Sequence, residues 1–465
     1  MLATALALSS GLASLVLTGC PGPDTPAGGN ISEQGSRWLE RAKQSYKAAD
    51  LEDASDSAKS ALTNAPDNAD VKITAARIQL ARLEFAETIR LLQGLQTSES
   101  FALRGRAKWY SGDVEGAADD LDALLADPQT KDEWAKTIAR LAHQGSGRKP
   151  FQVSGGLLAP VPLQRIRSAH LIVPIEINGE AGLALVATSR AEVMLDSATR
   201  KEPSWVQLRF ENRIEVRDVP ALVEDLSGIS KEVGAPIKAL LGANLLRRLH
   251  VTFDFQGEQF VVRTREPPPP PKATRLPVAY AQGGAMVTRA SFKAGSNETL
   301  PLLINTMLPY PLALDERGFK AAGVDMNTLQ AVPGDNRMKG GKVSLFRLGA
   351  FDLPDVPAVS GPSFTEIAAA TGMDVSGAVG AGLFALFRCT LTDNGRVLWV
   401  EDNDQVMQML QQAPPPAPAG SGEPGGMLAP PGGLVAPGGA TPGLGLPPAG
   451  SATPAPAPIG SARRP

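Results

Sequence analysis

The feature that most narrows the fold of this chain is an internal duplication. Asp218-Val219-Pro220-Ala221 returns as Asp355-Val356-Pro357-Ala358, 137 residues later, and Leu241-Gly242-Ala243-Asn244-Leu245-Leu246 is answered by Val379-Gly380-Ala381-Gly382-Leu383-Phe384 at an offset of 138. Two anchors that keep nearly one offset mark the repetition of a whole folding unit rather than of a short motif. Around both anchors β-branched and polar residues alternate, Asn178-Gly179 and Asn394-Gly395 supply hairpin signals, and Val251 to Phe255 reads as a strand. Two all-β units are predicted, over 150–265 and 276–403, with a linker at 266–275. The run Pro267 to Pro271 inside it is a stiff spacer, expected to join the units without merging their cores.

Each unit resembles a retropepsin-like aspartic protease domain of the bacterial type. In the first, the match runs from Leu171 to Ile177, through Asn178-Gly179, to Leu183 to Val186, then through Ala239 to Arg248 and the strand Val251 to Phe255. The resemblance implies two lobes that each donate an Asp-Thr/Ser-Gly loop, whose paired carboxylates share a proton and activate a water for amide hydrolysis. Here the corresponding loops read Ala187-Thr188-Ser189 and Asn305-Thr306-Met307. A methyl group and an amide cannot carry the negative charge that polarises water, and the loop glycine is missing as well. No catalytic residue is therefore assigned in the loops. Asp196 and Asp315 are the substitute acids a peptidase reading would need; nine residues beyond Ala187, Asp196 has the wrong spacing, and an N-cap is the simpler role. Gly242 follows Ala187 by 55 residues whereas Gly380 follows Asn305 by 75, which puts an insertion before Asp355, where the family places its substrate-covering flap. Such a flap suits an extended peptide held by strand addition.

Upstream, over residues 35–146, Ala and Leu recur at helical spacing. Trp38, Ala42, Ala54, Ala61 and Pro66 stand at the spacings of a tetratricopeptide repeat (TPR); the register returns 34 residues later at Ala76 and Thr88, with Phe85 on the inner face. A third copy is suggested by Gly105, Tyr110, Gly112, Asp113, Ala117, Ala118, Leu121, Leu124 and Pro128. Such repeats imply a concave face for a protein or peptide partner.

The first nineteen residues (1–19) form a short apolar run that ends in Leu17-Thr18-Gly19-Cys20, similar to the lipobox of bacterial lipoproteins, although no Lys or Arg precedes the run. Cys20 is the expected lipidation site, 20–34 a flexible tether, and the cell envelope, with the outer membrane or a periplasm-facing surface, the expected location. Residues 404–465 are Pro, Ala and Gly with almost no charge, too poor in apolar surface to build a core. The fold class is thus multidomain α + β: TPR-like α-helical hairpins, then two all-β retropepsin-like lobes and a disordered tail.

A net charge of −3 without a basic block argues against nucleic acid as partner. His143, His170 and His250 are too scattered to form a metal site, and Cys389 reads as a buried small hydrophobe. Gly380, Gly382 and Ala385, with Glu401 and Asp402, match a loose dinucleotide fingerprint, but the first copy has Asn244 at the second glycine and no βαβ context, so no cofactor is expected. Three functions remain: a scaffold with a catalytically inactive protease-like module, an envelope aspartic endopeptidase using non-standard acids, or a protein whose helical part alone acts.

Overall fold

Small residues at the helix contacts shape the N-terminal part of the chain. In this computed structural model residues 31–402 are described, apart from 165–168, 296–297, 333–334 and 362–363. Cys20 with its leader and the Pro/Ala/Gly tail lie outside the described residues. Three hairpins, α1 (Glu33–Lys47) with α2 (Leu51–Asn64), α3 (Ala69–Ala81) with α4 (Phe85–Leu91), and α5 (Ser98–Ser111) with α6 (Val114–Leu125), are followed by α7 (Glu133–Gln144). Ala42, Ala54, Ala61, Ala76 and Ala117 are fully buried where the helices meet. At Gly105 an added Cβ would come within 2.8 Å of the Leu121 side chain, so glycine lets α5 and α6 approach there without displacing that leucine. Asp50, Asn68, Asp113 and Asp132 cap α2, α3, α6 and α7 by accepting a backbone N–H in the first turn.

The first β lobe contains β1 (Gln152–Gly155), β2 (Leu158–Pro162), β3 (Ile172–Ile177), β4 (Glu180–Ala187), β5 (Val193–Asp196), β6 (Ser204–Phe210), β7 (Ile214–Glu224), α8 (Ser227–Val233), β8 (Ile237–Gly242), α9 (Ala243–Leu246), β9 (Thr252–Asp254) and β10 (Gln259–Arg263). The second runs through β11 (Thr274–Pro277), β12 (Ala279–Ala281), β13 (Ala285–Ala290), β14 (Leu300–Asn305), β15 (Leu312–Leu314), α10 (Glu316–Ala321), a 3-10 turn (Met326–Thr328), β16 (Gln330–Val332), β17 (Asp335–Leu348), β18 (Phe351–Ser360), α11 (Thr365–Thr371), β19 (Gly377–Gly380), α12 (Ala381–Phe384), β20 (Arg388–Thr392) and β21 (Val397–Glu401).

The duplication in the text is a duplication of topology. The order β7-β5-β8-β4-β3 in one sheet matches β18-β15-β19-β14-β13 in another, with β4 parallel to β8 and β14 parallel to β19. Both copies of the Asp-Val-Pro-Ala anchor hold their Asp in the left-handed region, φ 49° at Asp218 and 52° at Asp355; the β6–β7 hairpin shifts register by one residue there, whereas β17–β18 keeps a single register past Asp355. Left-handed backbone at this point of both hairpins explains why a short polar residue stands there twice. The second anchor also has one physical reason in both copies: a Cβ on Gly242 would strike the Glu192 carbonyl, and one on Gly380 the Tyr310 carbonyl. Asn178 (φ 52°) and Gly179 (φ 85°) make the expected tight turn between β3 and β4.

The polyproline spacer does not keep the cores apart, contrary to the reading of the sequence. A six-stranded sheet, β11-β21-β20-β9-β10-β2, takes strands from both lobes, and one continuous apolar cluster includes Phe253 and Phe260 with Phe346 and Phe384. Two halves that each leave strand edges open satisfy them by pairing β9 with β20, and Thr252 Oγ1 meets Thr390 Oγ1 at 2.9 Å across the join. The helical hairpins dock on this body through the ends of α1, α3, α5 and α7. Tyr46 donates to the Thr371 carbonyl (3.0 Å), Arg289 pairs with Asp50 (2.6 Å), and Arg247 Nη2 donates to the Tyr110 carbonyl (2.8 Å). Trp205 Nε1 donates to the Leu141 carbonyl (3.0 Å), with the Trp205 ring edge-on to Trp109.

Candidate functional site at the lobe junction

The loops that follow β4 and β14 meet at the junction, and their threonines hold it together. Thr188 Oγ1 donates to the Ile304 carbonyl (2.7 Å) and accepts from Thr306 N–H (3.1 Å). Reciprocally, Thr306 Oγ1 donates to the Val186 carbonyl (2.6 Å) and accepts from Thr188 N–H (3.2 Å). Both side chains are fully buried. The residue before each threonine, Ala187 and Asn305, therefore occupies equivalent places across the pseudo-twofold axis.

Neither place is furnished for acid–base chemistry. Ala187 is fully buried in an apolar cluster with Ile172, Leu185, Ile237 and Leu240, onto which Met307 packs from the other lobe. Ser189 Oγ donates to Asn305 Oδ1 (3.0 Å), and Met307 N–H donates to the same oxygen (3.1 Å). Larger groups thus stand where the resemblance implies loop glycines, and one of them ties the lobes together. His170 Nε2 bonds the Met307 carbonyl (3.0 Å), and burial pushes its imidazole below the ordinary range. Its ring also lies 3.8 Å from Glu232.

Asp196 and Asp315 are not brought to this junction. Along β8, Ala187 stands opposite Gly242 and Leu195 opposite Ala239, a separation of about 10 Å on the strand rise, with Asp196 farther still. The second lobe repeats this with Asn305 opposite Gly380 and Leu314 opposite Gly377. Asp315 caps α10 by accepting from Gly318 N–H (3.0 Å). Asp196 caps a turn rather than the expected helix, accepting from Ala198 N–H (3.2 Å), and lines a surface depression of about 470 Å³ with Lys231. The additional residues of the second copy fall before Asp355 and form α10, the 3-10 turn and β16, which pairs with the outer part of β17 as an extra hairpin. Gly380 and Gly382 lead from β19 through the four-residue α12 to β20 of another sheet, so they open no βαβ unit. Among the described residues no group of His, Cys, Asp or Glu is placed to hold a metal ion. Cys389 is fully buried in β20, where burial pushes its thiol up.

Glu192 is a residue that reading the sequence missed. Its buried carboxylate accepts from Tyr110 Oη (3.2 Å) and Trp134 Nε1 (3.1 Å), both on the helical hairpins. Burial holds it above the usual carboxylate range, and Tyr110 is likewise raised by burial. A second feature lies on the helices themselves. A notch of about 250 Å³ between α1 and α3 is lined by Lys43, Tyr46, Lys47, Thr74 and Arg77 and closed by Gly372 of the second lobe. Lys43 is already paired with Asp70 (2.9 Å), and Arg77 with Glu99.

No protein-family model matches the chain, and no curated protein matches it. Among solved structures it is similar to the TPR domain of Arabidopsis OM64, at 20% identity over 24% of this chain and 96% of that one, with a TM-score of 0.23. It is also similar to an aspartic proteinase from Irpex lacteus, at 8% identity over 54% of this chain and 99% of that one, with a TM-score of 0.35. For a retropepsin-like aspartic protease from Rickettsia conorii the values are 12% identity, 28% and 93% coverage, and a TM-score of 0.22. In its own topology the chain is a set of helical hairpins followed by two β lobes that repeat one strand order.

Proposed function

We propose that this chain is a scaffold lipoprotein of the cell envelope, anchored through a lipid on Cys20, whose protease-like lobes are catalytically inactive and, with the helical hairpins, offer a surface to a protein or peptide partner. One observation carries the reading: the two places that would need paired carboxylates hold Ala187 in an apolar cluster and Asn305 with its oxygen already accepting from Ser189 and Met307. Activating water for amide hydrolysis takes a carboxylate pair sharing one proton, and neither residue ionises. The threonine contacts persist without the acids, which is what a fold retained for shape rather than chemistry requires. The lysine-lined notch and the extra hairpin on the second lobe are the surfaces this reading offers to a partner segment.

The test is cleavage of a mixed peptide library by the purified protein with and without pepstatin. No cleavage is expected. Reproducible, pepstatin-sensitive cleavage that disappears in Asp196→Ala or Asp315→Ala would establish the endopeptidase reading instead. Pull-down from envelope extract, with and without residues 151–401, then separates partner capture by the helices from capture that needs the lobes.

A further inference from the structure

Among the described residues only Leu157 (66% exposed) and Leu158 (46% exposed) are large apolar side chains that stand out into solvent, and they are neighbours. They sit on the bend between β1 and β2, after Gly155 (φ 110°) and Gly156. The bend is rigid. Gly156 N–H donates to the Arg213 carbonyl (2.8 Å), Thr264 N–H donates to the Leu157 carbonyl (3.1 Å), and Leu158 pairs with Arg263 in the β2–β10 ladder. Holding two leucines in water on one tip is unfavourable, and covering them would recover free energy in proportion to the apolar area removed from water.

The charges beside the tip point to what covers it. Arg213 and Arg265 are exposed, and the structure forms no ion pair with either among the described residues, while Arg263 is turned inward to the His250 carbonyl and Thr252. Of the acids nearby, Glu266 accepts from Asp393 N–H and Glu211 lies in the β6–β7 turn. Two adjacent leucines flanked by unpaired arginines complement a bilayer interface, where apolar groups meet acyl chains and guanidinium groups meet lipid phosphates.

We propose that the Leu157–Leu158 bend is a second membrane contact, seated in the interfacial zone of an anionic bilayer with Arg213 and Arg265 at the phosphates. This rests on the lipid anchor at Cys20. An anchor there already holds the chain at the membrane, so a contact too weak to recruit the free protein is enough to orient the anchored one.

The experiment uses the full acylated chain in phosphatidylethanolamine–phosphatidylglycerol vesicles, with a bimane probe on Leu157→Cys or, for comparison, on Lys59→Cys at an exposed helical position. Buried Cys389 and acylated Cys20 leave a single reactive thiol in each variant. The probe at 157 should emit to the blue of the probe at 59 and be about tenfold less sensitive to iodide, and Arg213→Ser/Arg265→Ser should remove most of that protection. Equal iodide quenching at both positions in protein that pellets with the vesicles overturns the proposal and leaves the anchor standing. Protein absent from a carbonate-washed pellet overturns the anchor and the proposal together. Protection that arises only when envelope proteins are added assigns the bend to a protein contact and refutes the lipid one.

Discussion

Replacing Thr188 with valine keeps the shape of the side chain and removes one hydroxyl, which isolates what that oxygen does. In the folded chain it serves Thr306 N–H at 3.1 Å and the Ile304 carbonyl at 2.7 Å, both inside the lobe junction. Each buried group left without a partner costs about 1–3 kcal/mol, so the pair costs roughly 4 kcal/mol at mid-range. The added methyl returns about 1 kcal/mol through apolar burial, leaving a loss of about 3 kcal/mol. Thr306→Val orphans Thr188 N–H and the Val186 carbonyl and is expected to lose the same amount. The double variant should lose slightly less than the sum, because the two hydroxyls also touch each other at 3.3 Å. Urea unfolding followed by far-ultraviolet circular dichroism and by tryptophan fluorescence measures this, the two probes showing whether helices and lobes unfold together. A loss below about 1 kcal/mol in either single variant, or a marked inequality between them, would refute the claim that these threonines are reciprocal structural clamps.

The remaining expectations concern the buried acid and the left-handed Asp that both lobes share. Because burial raises Glu192, the folded chain holds its proton more tightly than the unfolded chain; the contribution to stability is full below the unfolded value of about 4.3 and is lost as pH rises through the folded one. Glu192→Gln keeps an oxygen for Tyr110 and Trp134 without ionising, so its advantage over the natural chain should grow as pH rises above the unfolded value, and a thermal-melt difference that does not vary with pH would sink this account. Glu192→Ala leaves those two donors bare and should lose about 2 kcal/mol at acid pH, a loss that shrinks as rising pH ionises the buried acid of the natural chain, with the largest change in the tryptophan signal. Asp218→Val and Asp355→Val force a β-branched residue into left-handed backbone and should each lose about 1–2 kcal/mol, whereas Asp355→Gly should be nearly neutral in the same melts.

Much of this architecture could be read before any coordinates. Repeated anchors at offsets of 137 and 138 announced two lobes of like topology, because a left-handed Asp and a strand end with no room for a Cβ impose the same letters wherever the same backbone recurs. Alanine at helical spacing announced the hairpins, since close helix approach excludes larger side chains. That neither loop carries an acid before its threonine was also legible, as identity alone decides whether a residue can ionise.

Only the tertiary structure decided how those pieces are used. The partners that fill the junction, Ser189 with Asn305 and Met307 against the cluster around Ala187, come from opposite copies. The reciprocal threonines are 118 residues apart, and Tyr110 reaches Glu192 across 82. Periodic patterns report which face of a helix or strand is apolar, a short-range property written in neighbouring letters. Whether a lone glutamate is buried between a tyrosine and a tryptophan, or whether two lobes share a sheet across a proline spacer, depends on surfaces that meet only after the chain has closed on itself, and no local pattern encodes that meeting.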